Sequence, residues 1–336
     1  MVRLAFTVSA LLALAGGACG GGGDDDDSGG NGGFVKPASP CVAADNHPCK
    51  TGVITEAFLE VDGVWTSQGP ADWTCLNTPT DDTPSTTAIN LTGVIDDFQT
   101  GDAVSTVSIS AFHDIDLTNP IATATSDLDG NYTMALPVGV ERVGFDMTAD
   151  GQMRTLLLNQ YFDPATADQN QDMSSVSVLT TQALSAFIGV TRTPGRGVVA
   201  GAMRDCQDRE VANAISTVTG GPTTSFAEAV AGFVWDETEC TRLEGDQELP
   251  PCTQTYYFSA GSQSLPVQRA LAPYTNKDGL FMTIELPAVS GAYLQVWGYT
   301  SDQDPAADDP ALLAQIPTPV MPDVVVTFSL EPLRTQ

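Results

Sequence analysis

The sequence predicts an all-β protein built from two tandem antiparallel β-sandwiches joined by a short helix. Three observations predict this. Gly93-Val94-Ile95-Asp96-Asp97, running on to Ile109, aligns without a gap with Gly201-Ala202-Met203-Arg204-Asp205, running on to Thr217. A second pair follows, in which Asp127 to Pro137 answers to Asn276 to Pro287, each with an Asp-Gly step at Asp129-Gly130 and Asp278-Gly279. Asp-Gly is a strong hairpin signal, because Gly readily supplies the positive φ that a tight turn needs. Third, the segments beside these turns alternate: Tyr132, Met134 and Leu136 share one face, with Thr133 and Ala135 on the other.

The elements run as follows. Residues 1–18 read as an export signal, with Arg3 as the charged region, an apolar run from Leu4 to Ala15, and the small residues Gly16-Gly17-Ala18. The run is shorter than the roughly 20 residues that span a bilayer. This leader resembles that of a bacterial lipoprotein, which implies lipid on Cys19, although Gly16 stands where such leaders carry Leu. The other reading is plain secretion, with cleavage after Ala15 and a free Cys19. Residues 19–33 then form a tether: Gly20 to Gly33 holds only Gly, Asp, Ser and Asn, cannot bury apolar surface, and reaches roughly 20 Å as a flexible chain. Residues 34–86, with three Cys, Trp65, Trp73 and several Pro, read as an irregular capping segment.

Residues 87–178 form the first sandwich, closed by the alternating Val143, Phe145 and Met147. In the linker, 179–197, Leu179, Ala183, Leu184, Phe187 and Ile188 fall at helical spacing. Thr180 is the expected N-cap and Pro194-Gly195 the expected stop, and the helix should pack one unit against the other. Residues 198–332 form the second sandwich, with Leu294, Val296 and Gly298 alternating. About 40 extra residues around Cys240 and Cys252 read as a stapled loop insertion.

The chain has seven Cys. Setting Cys19 aside for lipid leaves Cys41, Cys49, Cys75, Cys206, Cys240 and Cys252, an even set suited to disulfides in an oxidising compartment. Six cysteines allow fifteen connectivities. Short loops favour Cys41–Cys49 and Cys240–Cys252, which leaves Cys75 to meet Cys206. The net charge of −29, from 42 acidic and 13 basic residues, repels phosphate backbones and excludes nucleic acid as a partner. It also argues against docking on anionic lipid by charge, so membrane contact rests on the lipid alone.

Little in the chain suits catalysis. No Gly-x-Ser-x-Gly, His-Glu-x-x-His or phosphate-cradling loop occurs, and only His47 and His113 are histidines. His113 falls at a strand end and His47 inside the short Cys41–Cys49 loop, so the expectation is no enzyme and no cofactor. Asp127, Asp129 and Asn131 place oxygens at alternate positions, as calcium loops do, but no glutamate follows at the needed distance and Lys277 enters the sister turn. Turn chemistry is the preferred reading, and no metal is expected. The loop of Asp163, Asp168, Asn170 and Asp172 is read the same way. Tyr293, Gln295, Trp297 and Tyr299 share one face of a strand and could form a glycan platform if that face is exposed.

Each unit resembles the carboxypeptidase regulatory-like domain, a transthyretin-like sandwich. Asp97, Val104, Val107, Asp129, Gly130, Tyr132, Pro137 and Gly139 carry the likeness in the first unit. Asp205, Ala212, Ala214, Asp278, Gly279, Phe281 and Pro287 carry it less completely in the second. The layout is also similar to envelope lipoproteins of myxobacteria-like organisms. The resemblance implies an accessory, adhesive or carbohydrate-contacting module without chemistry of its own. The expected protein is therefore a non-enzymatic, lipid-anchored envelope protein at the outer membrane or cell surface, touching a polysaccharide or another envelope protein. A carbohydrate-binding accessory module is the alternative, and a hydrolase the remote one.

Overall fold

Why this chain alternates cleanly in one half and not in the other is answered by what covers each sheet. The computed structural model describes residues 50–76, 83–232, 243–244, 247–248, 254–259, 265–267 and 272–330. A hairpin of β1 (Glu56–Val61) and β2 (Val64–Pro70) comes first. The first unit holds β3 (Ile89–Asp97), β4 (Ser108–His113), β5 (Ala122–Thr125), β6 (Asn131–Leu136), β7 (Arg142–Thr148), β8 (Gln152–Tyr161), β9 (Asp168–Asn170) and β10 (Met173–Ser177). Helix α1 (Val178–Phe187) follows. The second unit holds β11 (Gly197–Met203), β12 (Glu210–Ala212), β13 (Ile215–Thr219), α2 (Phe226–Ala231), β14 (Leu243–Glu244), β15 (Gln247–Glu248), β16 (Gln254–Tyr257), β17 (Leu280–Leu286), β18 (Tyr293–Gly298), β19 (Ala311–Pro317) and β20 (Val324–Leu330).

In the first unit, β3 pairs with β6, β9 and β10, while β5, β4, β7 and β8 form an antiparallel run opposite. Their inner faces meet in one core, with Ile89, Leu91 and Ile95 against Ile109, Phe145 and Met147. The outer face of β6 stays in water, so its residues alternate between exposed and buried along the whole strand. The repeat is real at atomic detail. A Cβ on Gly130 (φ 77°) would lie 2.6 Å from the Ile95 carbonyl oxygen, and one on Gly279 (φ 64°) 2.6 Å from that of Met203. Only Gly fits either turn. Asp97 and Asp205 likewise each turn the chain with one carboxylate oxygen, which accepts the N–H of Gln99 and Thr100 in the first unit and of Gln207 and Arg209 in the second.

The repeats differ by one residue before the final proline. The extra residue is Glu285, held at φ 57° in a bulge where β17 shifts register against β11. Its carboxylate receives Arg192 and the N–H of Thr193.

The two sandwiches are fused through β8. Its Arg154–Leu158 stretch pairs parallel with Val324–Phe328 of β20, making a continuous sheet of twelve strands. Successive side chains of a strand point to opposite faces. Leu157 therefore packs on the first core while Leu156 and Leu158, fully buried, belong to the second. Burying each is worth about 1.5–3 kcal/mol relative to leaving it in water.

Each sheet of the second unit carries packing on its outer face as well. β16, β17, β11 and β20 face β13, β18 and β19 across the main core. Outside the first sheet, Leu184 of α1 and Ile188 just after it pack on Val198, Met282, Ile284 and Val325, together with Val176 of β10. Outside the second, Phe226 and Ala229 of α2 pack on Ile215, Tyr274 and Trp297.

Helix α1 departs from the expected caps. Ser177, not Thr180, is the N-cap, its hydroxyl accepting the Thr180 N–H at 2.9 Å. The helix stops at Gly189 (φ 73°), five residues before Pro194, and a left-handed glycine is the commoner helix terminator. Leu179 and Phe187 are exposed.

The segment expected to be irregular contains the β1–β2 hairpin, turned by Asp62 (φ 52°) and Gly63 (φ 79°). β1 pairs with β12, so this segment belongs to the second unit's side of the molecule. Cys75 and Cys206 form a disulfide with Cα atoms 5.8 Å apart. Beside it Asp205 accepts the Asp72 N–H at 3.0 Å and binds Arg209 through both Nε and Nη2. Cys19, Cys41, Cys49, Cys240, Cys252, His47 and the tether lie outside the described residues. Among the described residues no helix is long and apolar enough to cross a membrane.

Candidate functional site

The strand expected to offer a glycan platform is core instead. Gln295, Trp297 and Tyr299 are fully buried, and Tyr293 is half-buried. The reason is the double covering of β18: Leu294 and Val296 face the main core, while the other face lies under α2. Trp297 meets Phe226 edge-to-face at 5.6 Å and donates to Thr217 Oγ1 at 2.9 Å. Gln295 accepts from Thr217 and donates to Thr219, so its amide is spent inside the sheet. The Tyr299 hydroxyl donates to the Asp308 carbonyl at 3.3 Å. Burial pushes the neighbouring Tyr274 phenol up to about 12. A sugar cannot reach the rings of Trp297 and Tyr299.

Asp127, Asp129 and Asn131 build a turn. Asp127 Oδ1 accepts the N–H of Asp129 and of Asn131, each at 2.9 Å, and the Asn131 amide also donates to the same carboxylate. Those bonds, the Asn131 N–H first, hold the Asp127 carboxyl below the usual range. Asp163 is lowered in the same manner by the Ala165 N–H and the Thr166 hydroxyl. Among the described residues no group of three His, Cys, Asp or Glu side chains is placed to hold a metal ion.

Among the described residues, one feature that gathers polar groups into a concave surface is the seam. A groove of about 630 Å³ opens between the units, lined by His113, Asp114, Glu141, Arg142 and Asn159 on one wall and by Ile316, Pro317 and Phe328 on the other. Its place follows from the backbone. The β20–β8 ladder ends at Phe328 opposite Leu158, and Asn159 is the next residue of β8. There the pairing of β7 with β8 shifts register between Val143 and Phe145. Gly144 sits in this irregularity, where a Cβ would lie 2.1 Å from the Asp114 carbonyl oxygen. Only glycine admits the loop after β4 so close.

The polar wall is interlocked. Arg142 Nη1 donates to Asn159 Oδ1 at 2.7 Å, the Asn159 N–H donates to Asp114 Oδ1 at 2.9 Å, and the Asp114 N–H donates to the Arg142 carbonyl at 3.3 Å. Both Asp114 (φ 45°) and Asn159 (φ 58°) stand in the left-handed region. Asp and Asn tolerate it best among residues with a Cβ, but each such residue still costs on the order of 1–3 kcal/mol. Of the sequence candidates, only His113 reaches this groove, exposed at its rim. Asp114, Arg142 and Asn159 escaped sequence reasoning. The signal for Asn159 was the run Leu156-Leu157-Leu158, which reads as a strand buried on both faces and ends abruptly on an amide.

No family model and no curated protein matches the chain. Among solved structures, it is similar to a shaft pilin of Lactobacillus rhamnosus GG at 14% identity, covering 74% of this chain and 98% of that one with a TM-score of 0.20. It is similar to a DUF3823 family protein of Parabacteroides merdae at 9% identity, covering 70% and 98% with a TM-score of 0.20. The Streptococcal ancillary pilin matches at 13% identity over 82% of this chain and 73% of that one, with a TM-score of 0.20. Likeness at this level assigns no residue a role.

Proposed function

We propose that this is a non-enzymatic envelope protein, anchored by lipid on Cys19, that displays two fused β-sandwiches for structural or adhesive contact. Each unit is read as a carboxypeptidase regulatory-like module on its motif residues, with Asp129-Gly130 and Asp278-Gly279 at the equivalent turns. One observation carries the reading: the units share β8, whose leucines enter both cores, and a backbone ladder crosses the seam. A load applied between units then runs through hydrogen-bonded backbone rather than through a free hinge. The Cys75–Cys206 disulfide ties the segment after the tether to the second unit, and such bonds persist in oxidising compartments.

Radioactive palmitate fed to cells producing the full chain tests the anchor. Wild-type protein should take up label and sediment with membranes, and the Cys19→Ala protein should do neither. Equal labelling of the two, or labelling of neither, overturns lipidation.

A further inference from the structure

We infer that the seam groove binds a short neutral oligosaccharide, which names the contact made under the adhesive reading above and rests on it. The volume, about 630 Å³, falls within the range of small-molecule sites. The two walls differ in chemistry. Asp114, Glu141, Arg142 and Asn159 line it with carboxylate, guanidinium and amide groups, while the exposed Pro317 offers apolar surface across from them, beside the buried Ile316 and Phe328. A pyranose chain presents the same pairing, with hydroxyls around the ring edge and C–H groups on the ring faces.

Charge selects against other small ligands. The chain carries −29, so an anionic ligand meets repulsion on approach, and a cation is attracted everywhere with nothing special at this place. Inside the groove the carboxylates of Asp114 and Glu141 outnumber the single guanidinium of Arg142, so an anion is disfavoured there as well. A neutral polyol is indifferent to the net charge and uses donors and acceptors alike.

Geometry selects against a peptide, which commonly binds by adding a strand to an open sheet edge. β8 is paired with β7 up to Tyr161 and with β20 up to Leu158, which leaves only the short Asn159–Tyr161 edge open at the groove. The strand that borders the groove from the second unit, β19, ends on Pro317, which has no N–H to give.

The polar wall is also preorganised. Asn159 is largely buried, its side-chain oxygen accepting from Arg142 and its backbone N–H donating to Asp114, so these three side chains are held before any ligand arrives. Two residues with positive φ are held there at a standing cost, as at sites where strain serves positioning.

The test uses the purified full-length chain in detergent and a set of probes. Neutral probes are maltotriose, cellotriose, laminaritriose, xylotriose and the fully N-acetylated chitin trimer; charged probes are trigalacturonate and the chitosan trimer. At least one neutral trisaccharide should bind by titration calorimetry, and more tightly than either charged probe. It should slow amide exchange at Asp114 and Asn159. Asn159→Gly keeps the left-handed backbone and removes the amide, and Arg142→Gln removes the charge. Each should weaken that probe about tenfold or more, with cooperative melting retained. If a variant does not fold, the exchange protection on the unaltered protein decides. Absence of binding by every neutral probe, unchanged affinity in both variants, tighter binding of trigalacturonate, or protection located elsewhere overturns the inference. Absent binding with palmitate labelling intact sinks the ligand class alone, whereas binding by a chain that takes no label sinks the anchored reading alone.

Discussion

The two units carry the same turn glycines and the same strand order around them, yet they bury opposite amounts of their outer faces. In the first, Thr133 and Ala135 of β6 look into water. Their equivalents in the second, Met282 and Ile284 of β17, are 4% and 1% exposed under α1. The difference teaches that the repeated motif fixes a hairpin and its core face but not what lies outside. That outer face is decided by the segments added to the second unit: α1, α2 and β16, with the β1–β2 hairpin alongside at β12. Both units bury polar side chains, Ser126, Thr155 and Ser175 among them in the first, but the second buries more, including Ser216, Thr217, Thr219, Thr255, Thr283 and Gln295.

The sharpest way to break this comparison is to put one charge at both equivalent positions. Ile284→Asp buries an unpaired carboxylate beneath α1 and should cost more than about 4 kcal/mol, enough to unfold the second unit. Ala135→Asp adds a charge in water and should stay within about 0.5 kcal/mol. Urea titration followed by circular dichroism measures both. Comparable losses would show that the outer face of β6 is covered in solution.

Next comes the shared strand. Leu156→Ala empties a fully buried site of the second core and should cost about 2–5 kcal/mol. Leu157→Ala, half-buried on the first core, should cost less. The informative reading is where protection falls. Leu156→Ala should speed amide exchange in β18 and β20, although the residue belongs to the first unit. Faster exchange confined to β4 and β7 would mean that the seam does not couple the cores.

The disulfide makes a third test. Replacing both Cys75 and Cys206 by Ser should cost about 2–4 kcal/mol, since the bond closes a separation of 131 residues. The loss should appear in the second unit, where Cys206 follows Asp205, and leave the first unit's exchange rates unchanged. Equal loosening of both units would mean that the seam, not the staple, sets the stability of the pair.

Much of this was legible in the sequence. The Asp-Gly turns, the strands of the first unit and the two-sandwich layout follow from periodicity, because one solvated face writes period two into the residues. The β1–β2 hairpin carried the same Asp-Gly signal at Asp62-Gly63, masked by the prolines and cysteines around it. The aromatic strand misled for a physical reason. When both faces of a strand are buried, alternation of Tyr293, Gln295, Trp297 and Tyr299 with Leu294 and Val296 no longer separates inside from outside. The groove was less legible, since Asp114, Arg142 and Asn159 come together only where three strands end or shift register.

The smallest expected effect concerns a charge that the second unit holds and the first does not. Arg204 occupies the position of Asp96 in the repeat, and its guanidinium lies 3.5 Å from Glu210, whose side chain is 2% exposed. Burial pushes the Glu210 carboxyl above its ordinary value of 4.5, with Arg204 pulling it partly back. A raised folded-state value means that the native protein holds this proton more tightly than the unfolded chain does. The contribution is favourable in acid and is lost as pH rises from about 4.5 through the folded value, so stability at neutral pH carries the cost. Glu210→Gln keeps the shape and removes the titration. The variant should therefore equal or slightly exceed the wild type at pH 7, and its advantage should shrink as pH falls toward 4.5. Asp96 is also raised by burial, with the Ser174 hydroxyl pulling it partly back and Asp172 and Asp97 adding repulsion, so Asp96→Asn should give the same sign in the first unit. Urea midpoints measured between pH 4 and 8 decide the matter. An advantage for Glu210→Gln that grows toward acid would mean that Arg204, rather than burial, governs the carboxylate.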